Sequence, residues 1–587
     1  MSTPSSPSTG NDAFVNLALG GLVAVAVFGL LLRVAGSVAA FLTGHPQPTA
    51  DLAAGIRVLG APLDPSTALG SPGLSPFVYW AVVLVLLAVV TVAVVFAWRL
   101  IRRGRGRVDP RRLDGAATGP EIAAVASPRA LLRRASTFRP SLEKPRVSDV
   151  GYLLGSSRGR QVWATVEDSM LLIGPPRSGK GLHIVINAIL DAPGAVVTTS
   201  TRPDNLTATL RARQQGGRPV AVFDPQQIAP GLPAGLRWSP VRGCEDPLTA
   251  MIRANGLSSA TSFGSVSGGD FWQGKTTAAI QGLLHAAALD HRDAGALYSW
   301  ALSPTSAGDA VRILQANPRA AEGWAESLES MLQSDPRTRD SIWQGVSLAF
   351  SALADPRVLD AVTPRPGEEF DPERFLTELG ALYLLATGAG AGASASLVAA
   401  FIEDLVEVAR KLAARSAGAR LDPPLLLALD EIGNLAPLPS LPTLMAEGGG
   451  TGITTLPVLQ SLAQAREKWG ENAAAAIWDA SIVKIILGGA SNSRDLQDLS
   501  TLIGERDELT DSVTIGDYGS RSSQRSVRRM PVLPPDVLRT MPFGLGVVLL
   551  RTARPIVTDL RPWTMRTDAA ELTAGRREVE ALLRDGS

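Results

Sequence analysis

The sequence predicts an α/β chain: a parallel sheet built around a phosphate-binding loop, split by an inserted all-α domain and preceded by a two-helix transmembrane anchor. Three observations predict it. An apolar run at residues 170–173 feeds a G-x-x-x-x-G-K loop and then a helical stretch at 182–190. Short apolar strands alternate with helical periodicity on both sides of a strand-poor segment, 241–375. Two uncharged stretches, 13–32 and 77–98, are each long enough to span a bilayer.

Residues 1–12 are small and polar and are expected to be disordered. In the first apolar run Arg33 interrupts and apolar residues continue to 42, giving a span of about 13–42. A cleaved signal peptide is the competing reading, because Ser37-Val38-Ala39 suits a peptidase. The missing basic leader and the length of the apolar stretch favour an anchor. The second run carries Tyr79, Trp80 and Trp98 near its ends, as interfacial aromatics prefer. It is followed by Arg99, Arg102, Arg103, Arg105, Arg107, Arg111 and Arg112, which put that side in the cytoplasm. Residues 44–76 then form a short external loop, and 100–150 a basic juxtamembrane linker with one amphipathic helix at 121–136.

The soluble body opens with an edge strand at 161–166, then strands at 170–173, 195–199 and 219–223. Helical periodicity takes over at 276–289, 307–316 and 321–333. The sheet resumes at 381–386, a helix covers 395–414, and further strands cover 425–429, 453–459 and 482–487. The nucleotide-binding domain is therefore expected at 151–240 and 376–565, the insert at 241–375, and a polar C-terminal helix at 566–587.

Composition narrows the chemistry. At 587 residues one core is not enough. A net charge of +1 excludes a globally basic nucleic-acid binder, though not a local basic channel. The single cysteine, Cys244, excludes an internal disulfide, and four scattered histidines give no zinc-like cluster. Only six of the 56 basic residues are lysines, so a lysine at the loop position is conspicuous.

In the loop Gly174, Pro175, Pro176, Arg177, Ser178, Gly179, Lys180, Gly181 and Leu182, backbone N–H groups can turn toward phosphates and Lys180 can reach the β- and γ-oxygens. Gly181 stands where a Ser or Thr hydroxyl usually ligates magnesium. The strand at 425–429 ends in Asp430-Glu431, a metal-holding carboxylate and a carboxylate that deprotonates water; an ordinary strand entering a charged turn is the alternative. Gln460, at the end of the next strand, either senses the γ-phosphate or caps the helix at 462–469.

Together these residues resemble the type IV secretion coupling proteins, the TraG/TraD/VirD4-like conjugative DNA-transfer ATPases. The matching pieces are the loop 174–181, Leu429-Asp-Glu-Ile-Gly-Asn-Leu435, Leu459-Gln-Ser-Leu-Ala-Gln464 with Trp469-Gly470, Leu502-Ile-Gly504, and 529–538. The resemblance covers residues 150–560 and implies a RecA-like P-loop NTPase fold, ATP and Mg2+ as cofactors, and a membrane-embedded homo-hexamer. It also implies single-stranded DNA, a relaxase and channel components as partners. From it follow candidate arginine fingers from a neighbouring subunit, Arg494 and Arg506, and candidate DNA contacts in 512–530, namely Arg521, Arg525, Arg528 and Arg529; a solvated loop is the alternative there. Two departures stand out. Thr199-Ser-Thr-Arg-Pro-Asp204 replaces the family's Asp-Pro-Lys-Gly-Glu, and the C-terminal stretch is a short polar helix instead of a long acidic tail. Competing readings are a non-hydrolysing nucleotide-binding receptor and a double-stranded DNA pump of the chromosome-segregation kind.

Overall fold

The computed structural model describes residues 10–51, 53–104, 109–232, 235–259, 269–386, 391–515 and 521–585. The chain divides into two compact units, Met1–Asp109 and Pro110–Ser587.

The first unit is built on two long helices, Gly10–Thr43 and Pro76–Gly104. Within them Val25–Thr43 and Pro76–Ala97 are long and apolar enough to cross a membrane. Residues 10–12, expected to be disordered, open the first helix; residues 1–9 lie outside the described residues. The two helices meet closely, with the Tyr79 hydroxyl donating to the Leu32 carbonyl at 3.1 Å. Arg33 does not break the helix. Its guanidinium donates to Ser37 Oγ (2.9 Å) and to the carbonyls of Pro48 (2.6 Å) and Ala50 (3.1 Å), so the connecting segment satisfies its charge. That segment is not wholly irregular: Ala54–Arg57 and Pro65–Leu69 are short helices, the second capped by Asp64. Residues 105–108, and the side chains of Arg99, Arg102, Arg103 and Arg112, lie outside the described residues.

The second unit is a mixed eleven-stranded sheet. Its strands are β1 (Gly151–Ser157), β2 (Arg160–Thr165), β3 (Met170–Ile173), β4 (Val196–Ser200), β5 (Val220–Phe223), β6 (Ala381–Leu385), β7 (Leu425–Leu429), β8 (Ile453–Leu459) and β9 (Val483–Leu487). Two further strands, β10 (Glu505–Ile515) and β11 (Arg521–Pro531), form a separate pair, and β12 (Leu545–Leu550) and β13 (Ile556–Leu560) rejoin the large sheet. The order is β2-β1-β13-β12-β9-β3-β8-β7-β4-β6-β5. From β9 to β5 every pair is parallel. Strands β3, β4, β6, β7 and β8 are buried along their whole length, as strands covered on both faces must be, although β4 and β8 carry buried threonines among their apolar residues. The four strands at the other end pair antiparallel, closing residues 151–165 onto 545–560. The parallel sheet expected from the sequence is thus the part from β9 to β5, and an antiparallel end extends it.

Between β5 and β6 the chain is helical, from Pro247–Ser258 to Pro372–Thr377. This inserted all-α lobe shares one continuous core with the sheet face, through the helix Ala391–Arg415. Helix 247–258 presses so closely on that helix that a Cβ at Gly256 would lie 2.6 Å from the Ala400 Cα. Cys244 lies in this core, and burial pushes its thiol up to about 11, which suits an inert residue.

Three expectations are corrected here. The basic linker ends near 109: residues from 110 onward are part of the body, because Ile122, Leu131 and Phe138 are buried against β1, β2 and β3. The single helix at 121–136 is three short ones, Gly119–Val125, Pro128–Leu132 and Ala135–Phe138. Pro128 cannot continue the first, and Ser127 caps the second by accepting from Ala130 N at 3.2 Å. The C-terminal helix Ala569–Asp585 is amphipathic, burying Leu572 and Val579 against the helix Asp204–Gln214 and its neighbours.

Candidate active site

Strands β3, β8 and β7 lie side by side, so the loops after them open at one rim of the sheet, where open α/β sheets bind ligands. The loop after β3 is shaped by two glycines that cannot be replaced without movement. A Cβ on Gly174 would sit 2.5 Å from Ser178 Oγ, and one on Gly179, at a φ of 90°, would meet His183 at 2.7 Å and Phe543 at 2.9 Å. Arg177 is also left-handed, at 63°. Past the loop the helix begins as a π-type turn, Gly181–Val185, before Ile186–Asp191. Lys180 Nζ is folded onto the carbonyls of Gly174 (2.7 Å) and Pro175 (3.1 Å). Its pKa is lowered by burial, which the carboxylates of Glu431 and Asp430 partly oppose.

Asp430 and Glu431 end β7 beside that lysine. Burial pushes the Asp430 carboxyl up to about 6; the Asn205 amide at 3.2 Å and Lys180 pull it down, and the charge of Glu431 pushes it up. The strand end is pinned from β4, where Thr199 Oγ1 donates to the Asp430 carbonyl at 2.7 Å. Glu431 is left-handed, with a φ of 54°, an uncommon state for a residue with a side chain.

A closed ring of hydrogen bonds holds the Glu431 carboxylate. Its Oε2 accepts from Asn434 Nδ2 (2.8 Å) and Gln460 Nε2 (3.2 Å). Asn434 Oδ1 accepts from Gln464 Nε2 (2.8 Å), and Gln464 Oε1 accepts from the Gln460 backbone N–H (2.9 Å). Gly433 leaves room for this: a Cβ there would press on the Gln464 amide at 3.1 Å. Ser461, not Gln460, caps the helix Leu462–Trp469, accepting from Gln464 N at 3.1 Å. Asn434 and Gln464 were not singled out as site residues in the sequence, although their spacing after Asp-Glu and after Leu-Gln-Ser was the available signal. Replacing Gln464 by Ala opens the ring without touching the loop; kcat should fall on the order of tenfold to a hundredfold with nucleotide affinity unchanged, as steady-state turnover and equilibrium binding would show.

Asp430 carries a second expectation. Its folded value lies above the ordinary 3.8, so the stability it contributes is present at low pH and lost as pH rises through about 6. Asp430→Asn should therefore raise the thermal stability of the chain without nucleotide, by a margin that grows about 1 kcal/mol between pH 5 and pH 8. Melting curves of the two proteins across that range check it.

The candidate arginines fare differently. Arg494, in the first turn of the helix Ser493–Ile503, is 68% exposed and loosely paired to Asp498 at 4.0 Å. Arg506 is 20% exposed and turned onto Glu508 at 3.3 Å, so it is the poorer candidate for reaching another subunit. The expected loop at 512–530 is instead the ribbon β10–β11, with eleven residue pairs in antiparallel register. That register sets Asp507 opposite Arg529, Glu508 opposite Arg528 and Asp511 opposite Arg525. Five acidic residues balance five arginines over 505–531, so the segment carries no net charge to grip phosphates. The side chain of Arg521 lies outside the described residues.

Comparison with known proteins follows the same rim. The family described as the TraM recognition site of TraD and TraG matches residues 424–543, which hold β7, β8 and the ribbon. The family described as type IV secretory system conjugative DNA transfer matches residues 138–238, which hold β3 and its loop. Over those two stretches the chain is similar to the type IV secretion coupling proteins. Among solved structures, the bacterial conjugative coupling protein TrwBdeltaN70 in an unbound monoclinic form is 16% identical, with a TM-score of 0.50 over 74% of this chain and 92% of its own. The plasmid coupling protein TrwB in complex with ADP and Mg2+ is also 16% identical, with a TM-score of 0.50 over 75% and 93%. At that identity the likeness is one of fold. Among curated protein sequences none matches. The chain thus has a RecA-like P-loop fold with an inserted all-α lobe and two helices able to span a membrane.

Proposed function

We propose that the chain is a membrane-anchored ATPase that couples ATP hydrolysis to delivery of a single-stranded DNA and relaxase nucleoprotein into a type IV secretion channel. The observation that carries this is the convergence of Lys180, Asp430, Glu431 and Gln460 at one rim of the sheet, in segments that two coupling-protein families match. Coupling proteins of similar fold have been solved with ADP and Mg2+, which makes ATP and Mg2+ the natural cofactors here.

In this proposal the loop 174–182 binds the phosphates through its backbone N–H groups and the helix terminus behind them. Lys180 leaves its own loop carbonyls for the β- and γ-oxygens. Glu431, oriented by Asn434 and Gln460, takes the proton of the attacking water. Asp430 fits magnesium because it is a buried carboxylate at the strand end beside Lys180, a hard oxygen donor held in place by the Asn205 amide. Magnesium, when bound with the nucleotide, neutralises charge on the β- and γ-phosphates. Assembly as a homo-hexamer would let Arg494 of one subunit complete the site of the next. The two apolar helices, with the arginines that follow the second, support a position in the cytoplasmic membrane with the body on the cytoplasmic side.

The proposal is tested by crosslinking in cells during transfer. Transferred DNA or the relaxase should be captured on the wild-type chain and lost on Lys180→Ala. Capture of neither, in cells where transfer depends on this chain, would refute it.

A further inference from the structure

The residue after the loop lysine is Gly181, and unlike Gly174 and Gly179 it is not there for room. Its φ is not left-handed, and a Cβ built on it meets, beyond its own turn, one atom within 4 Å: Asn205 Oδ1, at 3.9 Å. The space a serine or threonine side chain would fill is therefore faced by an amide oxygen. Asn205 lies in the first turn of the helix Asp204–Gln214 and is 2% exposed. Chemistry fixes which way its amide points. A carboxylate only accepts, so the group 3.2 Å from Asp430 Oδ2 is the NH2, and the carbonyl oxygen turns away toward Gly181. Among the described residues no donor reaches that oxygen. That oxygen keeps its lone pairs open toward the space beside Gly181, and a neutral hard oxygen is what magnesium accepts.

We infer that Asn205 Oδ1 supplies the oxygen that a hydroxyl at position 181 would otherwise bring to magnesium, directly or through a water, while its NH2 holds Asp430 in place. The departure at 199–204 then has a use: it delivers Asn205 to the metal side of the site. The inference rests on the nucleotide site proposed above and goes beyond it by naming a metal-holding residue outside the loop and the acidic strand.

The test uses the full chain in detergent, Mn2+ as probe and saturating ADP, with free Mn2+ read from its electron paramagnetic resonance signal. Asn205→Ala should weaken Mn2+ binding about tenfold while leaving ADP affinity in EDTA within about twofold of wild type. Adding Gly181→Ser to that variant should restore Mn2+ binding, since a Cβ at 181 meets no clash. Unchanged Mn2+ binding in Asn205→Ala overturns the inference. So does a loss that Gly181→Ser fails to repair, because Asn205 would then act only through Asp430. If Asn205→Ala does not fold, Asn205→Leu keeps the shape and is read the same way. A wild-type chain that binds no ADP defeats the nucleotide-site proposal itself; one that binds Mn2+ and ADP normally, with Asn205 indifferent, defeats this inference alone.

Discussion

Glu431→Gln is expected to lower ATP turnover by about a thousandfold while the protein still binds nucleotide. The substitution keeps the shape of the side chain and its place between Asn434 and Gln460, but removes the base. The ring itself adapts, because a glutamine can still accept at its oxygen from either amide. Loss of chemistry without loss of binding is therefore the signature. Phosphate release measured beside equilibrium nucleotide binding separates the two, and a variant that turns over like wild type would remove Glu431 from the catalytic role.

Lys180→Ala is expected to act on the other half of the site. The ammonium now bonded to Gly174 and Pro175 carbonyls is the loop's flexible charge at the helix start, placed to follow the γ-phosphate. Its removal should weaken triphosphate binding about tenfold and turnover a hundredfold or more, on the order expected for a lost oxyanion donor. ADP should be affected less than ATP. Titration of both nucleotides against the variant checks that ordering, and equal losses would place the lysine away from the γ-phosphate.

How far the sequence carried can be seen element by element. The loop, the acidic strand and the following Gln460 strand were legible because each is a short buried run ending in a chemical signature, and β3, β7 and β8 stand side by side. The helical insert was legible from its period. What the sequence hid was non-local. Nothing in 151–165 says that β1 pairs with β13 some 400 residues later, since antiparallel partners share no local signal. The sequence at 512–530 reads as a loop because charged and small polar residues dominate it; the pairing of Asp507 with Arg529 and Glu508 with Arg528 becomes visible only once the register is known. The stretch from 110 to 138 was read as linker because its arginines dominate, yet Ile122, Leu131 and Phe138 between them are core. In the site itself, the roles of Asn434, Gln464 and Asn205 emerge only with the fold, because a neutral amide takes its role from the partners placed around it.

The measurement that bears most directly on the whole reading is phosphate release from Mg2+-ATP by the purified full chain, with and without single-stranded DNA. Steady release that rises several-fold on adding DNA, and that disappears in Glu431→Gln, is the predicted result. Absence of release under both conditions, from a chain that binds ATP and Mg2+ normally, would contradict it and leave a receptor that binds nucleotide without spending it.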